Sequence, residues 1–266
     1  MGLELLDVFN RYFEIVNADT ESLRDEVYRL RYQVYCIENQ FEDINQFPDE
    51  KEVDAYDARS VHALIRHRES GIYAATVRLV LHDLRNEAAV FPVEKHCQAA
   101  FSSIGLDNSN LPRQQVAEIS RFAVSKHFKR RVGEANTIAG VGPSPEAYVS
   151  ENKGVRLLPH ITLGLFAAVM KLSMANNIDY WYAVMEPSLL RLLTRFGIHF
   201  GKIGGLIDYH GKRQPCFASV RHLVQSMSEE RKDVWNLVTN GGELIPSHLP
   251  AEIDDQQYVK LMNSKT

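Results

Sequence analysis

Val116-Ala117-Glu118-Ile119-Ser120-Arg121-Phe122-Ala123-Val124 constrains the fold of this chain more than any other stretch. Its apolar residues, with β-branched Val116, Ile119 and Val124, read as a short strand. An acid and a base nevertheless sit inside this buried-looking run. Ionised groups in a core strand are costly unless they are paired or put to use. Glu118 and Arg121 have opposite parity, so a regular strand points them to opposite faces of a sheet. A bulge between them would bring both to one cleft. The residues leave two readings open, a structural ion pair or a functional site.

Composition says what surrounds this strand. With 266 residues, 45% hydrophobic and 24% charged, the sequence is that of an ordinary soluble globular protein of one large domain or two small ones. A net charge of −4 makes no case for nucleic acid or for a general membrane surface. Cys36, Cys97 and Cys216 are widely spaced, with neither a CxxC nor a metal-ligand pattern. They are expected to be reduced, buried thiols of a cytoplasmic protein. Glu4, Asp7, Arg11 and Glu14 interrupt the N-terminus, which reads as neither a signal peptide nor a membrane span. No apolar run reaches the roughly 18 residues that a span needs, so no transmembrane segment is expected.

The order of elements follows from the spacing of apolar residues. Leu3 to Asn10 is weakly helical, and Tyr12 to Val16 reads as a first strand. Asp19-Thr20-Glu21-Ser22 offers N-cap chemistry for a helix whose stripe is Leu23, Val27, Leu30, Val34 and Ile37. Arg31 lies beside that stripe. Gln40 to Asp57 is acidic and irregular, and Glu42 to Glu50 within it reads as a solvated loop. Val61 to Ile65 and Gly71 to Val80 form a hairpin, with Arg78 among apolar neighbours and in need of a partner. His82 to Asn110 reads as short helices and loops. Gly133 to Asn152, rich in Gly, Pro, Ser and Asn, reads as an insertion or mobile loop. Leu157 to Ala175 is apolar nearly all round, which marks a buried helix. A strand follows at Ile178 to Met185, then a helix opened by Pro187 and stopped by Gly197. A final hairpin covers Phe200 to Val220, a helix covers Leu223 to Val238, and Gly241 to Thr266 reads as a polar tail. Helices and strands mixed in one unit predict a single α/β sandwich around a central mixed sheet.

Several of these pieces carry a resemblance. They are Leu30-Arg31-Tyr32-Gln33-Val34-Tyr35, Glu52-Val53-Asp54-Ala55-Tyr56-Asp57, Thr76-Val77-Arg78-Leu79, Glu118-Ile119-Ser120-Arg121-Phe122 and the helix from Leu189 to Gly197. In that order they resemble the motifs of the acyl-homoserine-lactone (autoinducer) synthases and the N-acyl amino acid synthases, within the GNAT acyltransferase fold. The chain is most similar to the acyltransferases associated with the PEP-CTERM/exosortase protein-sorting system. The resemblance implies a GNAT-like αβα sandwich with a central mixed, splayed β-sheet over residues 1–220. A C-terminal helical extension and polar tail would occupy 221–266. Phe41 stands where autoinducer synthases carry a tryptophan, and the Gly133 to Asn152 loop and the tail lengthen the chain. Both departures favour an amino-acid acceptor over a homoserine-lactone product.

The implied reaction moves a fatty acyl group from a thioester to an amine. It needs a base for the amine, donors for the carbonyl oxygen and apolar room for the tail. Glu118 is the candidate catalytic base, because a carboxyl in an apolar strand has a raised pKa. By resemblance, Arg31, Asp54, Asp57, Arg78 and Arg121 form an ion-pair network around the acceptor end. With Tyr35 and Phe41 they make up the expected substrate-binding set, and Glu52 stands outside it. The expected donor is acyl carrier protein, or acyl-CoA, with no tightly bound cofactor. The carrier is acidic, and Lys126, Lys129, Arg130 and Arg131 form a basic patch that would dock it. Arg130-Arg131-Val132-Gly133-Glu134-Ala135 nominally matches the GNAT pyrophosphate loop. A long irregular stretch separates it from the next helix, which argues against a tight CoA site. Trp181 and the Leu157 to Ala175 helix either wall the acyl pocket or are simply core. No histidine has a partner at ligand spacing, so no metal is expected, and Ser120 lacks the glycines of a nucleophile elbow. An autoinducer synthase, a non-catalytic acyl or carrier-protein binder of the same fold, and an acetyl-CoA-dependent protein acetyltransferase remain as alternatives.

Overall fold

The computed structural model describes residues 4–98, 112–129, 157–208 and 211–245. The strands are β1 (Phe13–Asn17), β2 (Ser60–His67), β3 (Tyr73–Leu81), β4 (Val116–Val124), β5 (Tyr180–Met185), β6 (Gly201–Lys202), β7 (Ile207–Asp208) and β8 (Lys212–Ser219). They lie in the order β1-β2-β3-β4-β5-β8-β6, with β7 pairing β8 off that path. The β4–β5 pair is parallel, and the other pairs are antiparallel. The sheet is therefore mixed, as expected.

Alternation along the strands decides which side faces which helix. Ala63 and Ile65 of β2 face the same core as Ala75, Val77 and Leu79 of β3, against the helix Leu157–Ala175. Leu64 points to the other face, where Val27, Leu30 and Val34 of the first long helix cover it. That helix, Glu21–Tyr32, starts where Thr20 accepts a hydrogen bond from the Leu23 N–H at 3.2 Å. It then widens into a π-helical turn, Gln33–Glu38. The wider turn shifts the phase of the apolar stripe. Val34 stays fully buried, but Ile37, expected on the stripe, is 51% exposed. A short helix, Pro92–His96, covers the second face further along, over Val80, Val116 and Tyr182. The layers are thus helix, sheet, helix.

Against the expectation that no apolar run is long enough, Leu158–Ala175 is long and apolar enough to cross a membrane by length and composition. His160, Thr162, Lys171 and Ser173 break the run in sequence. Some 78% of the segment is buried within the fold, as a central core helix is. A Cβ at Gly164 would meet the Phe9 ring at 2.2 Å, so glycine is what lets the helix Leu5–Tyr12 approach it. The chain end expected as one helix is two, Val220–Glu230 and Lys232–Val238, parted at Arg231 with φ −145° and ψ 73°. Val220, Leu223, Met227, Val234, Leu237 and Val238 are buried in the same core as the sheet. The helical part of the expected 221–266 extension therefore shares that core.

A candidate active site in the splay of the sheet

The β4–β5 ladder is short. It runs from Val116 opposite Tyr180 to Ile119 opposite Ala183 and stops. Beyond it β4 stays with β3, and β5 stays with β8. The two strands part, and their facing peptide groups lose each other as partners. Two adjoining clefts of about 110 and 80 Å³ open there. Both are small beside cavities that enclose a whole ligand. Neither cleft alone gives the apolar room expected for an acyl tail. The Leu157–Ala175 helix and Trp181 line neither cleft and belong to the core.

The bulge anticipated in β4 is present. Arg78 of β3 pairs with Ser120, and Thr76 pairs with Ala123, which leaves Arg121 and Phe122 opposite the single residue Val77. Arg121 takes up the extra residue with φ +49°. A non-glycine residue in this left-handed region costs about 1–3 kcal/mol and persists only where its surroundings hold it. The parity of the strand flips at this point. Ala117 and Ile119 face the core helix, and after the bulge it is Val124 that does so. Glu118 and Arg121 consequently line the same cleft.

They do not pair with each other. Glu118 is 3% exposed and accepts the Val93 N–H at 2.8 Å. Pro92 has no N–H, so Val93 supplies the first free amide of the short helix. Burial pushes the Glu118 carboxyl up to about 8, and the Val93 hydrogen bond and the nearby Arg78 only partly oppose this. At neutral pH the group is poised between acid and base.

Arg121 instead binds Glu52, through Nη2 at 2.8 Å and Nε at 3.1 Å, and Asp54 at 3.2 Å. Its guanidinium lies 5.0 Å from the Tyr35 ring centre, within cation–π range. Arg31 is fully buried and donates to Glu52 and, through two nitrogens, to Asp57 at 2.7 and 3.1 Å. Arg78 joins Asp54 at 2.6 Å, Asp57 at 2.9 Å and the Ser120 hydroxyl at 2.9 Å. The acidic turn is held by its own backbone, since the Asp54 N–H donates to Asp57 at 2.8 Å. Burial alone would raise the Glu52 carboxyl, but Arg31 and Arg121 outweigh it and hold the group down to about 2. Asp57 is likewise held below the carboxylate range, burial being outweighed by Arg31 and Arg78. His62, 3.6 Å from Asp57, is pushed down to about 4 by burial and by Arg31, so its ring is neutral.

The expected substrate-binding residues divide. Tyr35, Asp54, Arg78 and Arg121 line the cleft with Glu118. Arg31, Asp57 and Phe41 line neither cleft. Arg31 and Asp57 form the buried base of the network, and Phe41 packs in the cluster of Val34 and Tyr35. Glu52, left out of the expected set, is the hub joining Arg31 to Arg121. Its place in the E-x-D-x-x-D turn was the available signal. Sequence reasoning also missed Tyr56, Pro92, Val93 and Arg213, which line the cleft from separate parts of the chain. Among the basic residues, exposed Lys126 is tied to Glu38 through its backbone N–H at 3.0 Å and through its ammonium group. Lys129 ends the short turn Lys126–Lys129. Arg130, Arg131, the nominal pyrophosphate loop and the Gly133 to Asn152 loop lie outside the described residues. Among the described residues, no three His, Cys, Asp or Glu side chains are grouped to hold a metal ion.

Comparison with known proteins defines the class. Residues 30–138 match the model of the acetyltransferase (GNAT) domain, a stretch that includes the network and all of β4. The chain is an acyltransferase with a GNAT-like fold. Solved structures similar to it include acyl-homoserine lactone synthases and an N-acyl amino acid synthase. The CoA-dependent acyl-homoserine lactone synthase BjaI, solved with MTA, matches with a TM-score of 0.54 and 18% identity over 84% of this chain and 89% of that one. The acyl-homoserine lactone synthase LasI matches at 0.51 and 18% identity, over 78% and 88%. FeeM, an N-acyl amino acid synthase from uncultured soil microbes, matches at 0.50 and 12% identity, over 80% and 93%. No curated protein matches the chain in sequence.

Proposed function

We propose that this protein is an N-acyl amino acid synthase. It would move a fatty acyl group from the thioester of an acyl carrier protein to the amine of an amino acid. The observation that carries the proposal is Glu118. A buried carboxyl raised to about 8, beside the open end of the β4–β5 ladder, is a proton acceptor in working range. The facing edges of β4 and β5 suit an extended, amide-bearing arm, which can add to them as a further strand would. Ile119, Phe122, Met185 and Leu189 give that side of the splay an apolar lining for the thioester. In the reaction the amine lone pair attacks the thioester carbonyl carbon, and the amine proton passes to Glu118, directly or through a water. The tetrahedral intermediate then breaks its C–S bond, and the departing thiolate recovers the proton. The arginine–carboxylate network shapes the acceptor side and fixes the bulge, without moving protons.

The choice of an amino acid over a lactone product rests on Phe41 and on the longer chain, and the carrier-protein donor on the basic cluster Lys126, Lys129, Arg130 and Arg131. Three free, buried cysteines suit a reducing compartment, so a cytoplasmic site belongs to the same proposal. A link to PEP-CTERM/exosortase protein sorting rests on the sequence resemblance. The test is expression in a bacterium that supplies its own acyl carrier protein, with mass spectrometry of the lipid extract. N-acyl amino acids are expected. Homoserine lactones would replace the acceptor assignment, and an extract unchanged from the empty-vector control would overturn the reading.

A further inference from the structure

An amino-acid acceptor brings a carboxylate as well as an amine, and that carboxylate needs a cation. Arg78 and Arg121 line the cleft but are committed. Arg78 gives Nε to Ser120 and Nη1 to two aspartates, and Arg121 gives Nε and Nη2 to Glu52 and Asp54. Their network also holds Arg31, Glu42, Glu52, Asp54 and Asp57, so its acids already outnumber its arginines.

Arg213 is placed differently. It enters from β8, across the splay, and lines both clefts, where the acceptor side meets the thioester side. It is 9% exposed, so water shields it little. Among the described residues its contacts are loose. Nη2 is 3.3 Å from a Glu186 oxygen, and Nη1 is 3.4 Å from the Lys212 carbonyl. Its Nε–H has no partner there. Glu186 itself sits at the N-cap of the helix Pro187–Arg195 and receives the Ser188 hydroxyl at 3.3 Å. The helix N-terminus and that hydroxyl offset part of its charge. Arg213 thereby keeps both positive charge and a free edge of its guanidinium fork toward the cleft.

Resting on the synthase reading above, we infer that Arg213 is the residue that recognises the α-carboxylate of the amino-acid acceptor, with Glu186 as its counter-ion while the site is empty. The acceptor then spans the junction of the clefts, with its carboxylate on Arg213 and its amine toward Glu118. The site selects α-amino acids over simple amines.

The test compares an acid with its amide. Binding of N-decanoylglycine and N-decanoylglycinamide is measured by calorimetry on the wild type and on Arg213→Ala, Arg213→Lys and Glu186→Gln. The wild type is expected to prefer the acid by about 10- to 100-fold, the range of a hydrogen bond to a charged group. Arg213→Ala should bind the two alike and Arg213→Lys should keep part of the preference. Glu186→Gln, which removes the competing carboxylate, should strengthen the acid. Melting temperatures on the same preparations show that each variant is folded. Equal binding of acid and amide by the wild type, or a preference that survives in Arg213→Ala, overturns the assignment. Turnover on the same preparations separates the two claims. A protein that prefers the acid through Arg213 but transfers no acyl group ends the synthase reading and keeps the carboxylate site. A protein that transfers acyl groups with its preference intact in Arg213→Ala ends the Arg213 assignment alone.

Discussion

Glu118 gives up its proton reluctantly because it is almost wholly buried, and that single property has both a kinetic and a thermodynamic signature. Glu118→Gln keeps the side-chain shape and can still accept the Val93 N–H, but it cannot act as a base. We expect kcat to fall by about 10² to 10⁴, the usual worth of a general base, with the donor KM nearly unchanged. The wild-type rate should rise with pH through about 8, and this limb should vanish in the variant. Stability should move the other way. The folded protein holds the Glu118 proton more tightly than the unfolded chain does. Its contribution is therefore full below the ordinary value of 4.5 and is lost as pH climbs to about 8. Glu118→Gln should thus melt like the wild type near pH 4 and above it at pH 8 to 9. A variant that melts lower at every pH and keeps its rate would make Glu118 a structural residue. The apolar neighbours of Glu118 made this perturbation legible in sequence. Its actual partner was not, because nothing in the sequence brings Val93 beside it.

At the scale of elements, the β4 bulge and the acidic turn depend on each other. Arg121 holds an unfavourable backbone angle because Glu52 and Asp54 bind its guanidinium. Glu52 in turn neutralises Arg31, which no solvent reaches. Glu52→Ala leaves two buried or nearly buried arginines short of a carboxylate. It should cost about 3–5 kcal/mol, the price of breaking a buried pair from one side, read as a lower urea midpoint at unchanged slope. A loss under about 1 kcal/mol would mean that water screens the network after all. The need for a bulge followed from the opposite parity of Glu118 and Arg121. The partner of Arg121 could not follow, because Glu52 reaches it across 69 positions of chain through a turn with no periodicity to read. Ile37 escaped for a related reason, since a π turn looks like any helix in sequence.

For the whole molecule, the layers were readable because each long element carries a clear apolar face. The role of the chain end was not. A helical extension and polar tail over 221–266 suggested an appendage, yet the two helices there bury Leu223, Met227, Val234, Leu237 and Val238 in the common core, the second of them against Leu157–Ala175 and Leu5–Tyr12. Removing residues 220–266 uncovers this side of the core. The truncated chain should show no cooperative thermal transition and should collect in the insoluble fraction. A soluble product with a sharp transition would support a domain boundary at 220.

The brevity of the β4–β5 ladder also bears on how the molecule is made. β2 and β3 join through a short hairpin, whereas Val116 meets Tyr180 only after more than sixty intervening residues. Contacts so far apart must overcome loop-closure entropy before they return any stability, so they form late. On the ribosome β1, β2 and β3 emerge first, and the helix Leu157–Ala175 that covers their core face follows. The splay needs β5, and β5 needs β8 beside it. The cleft between β4 and β5 is therefore assembled late, only once both β5 and β8 have been made.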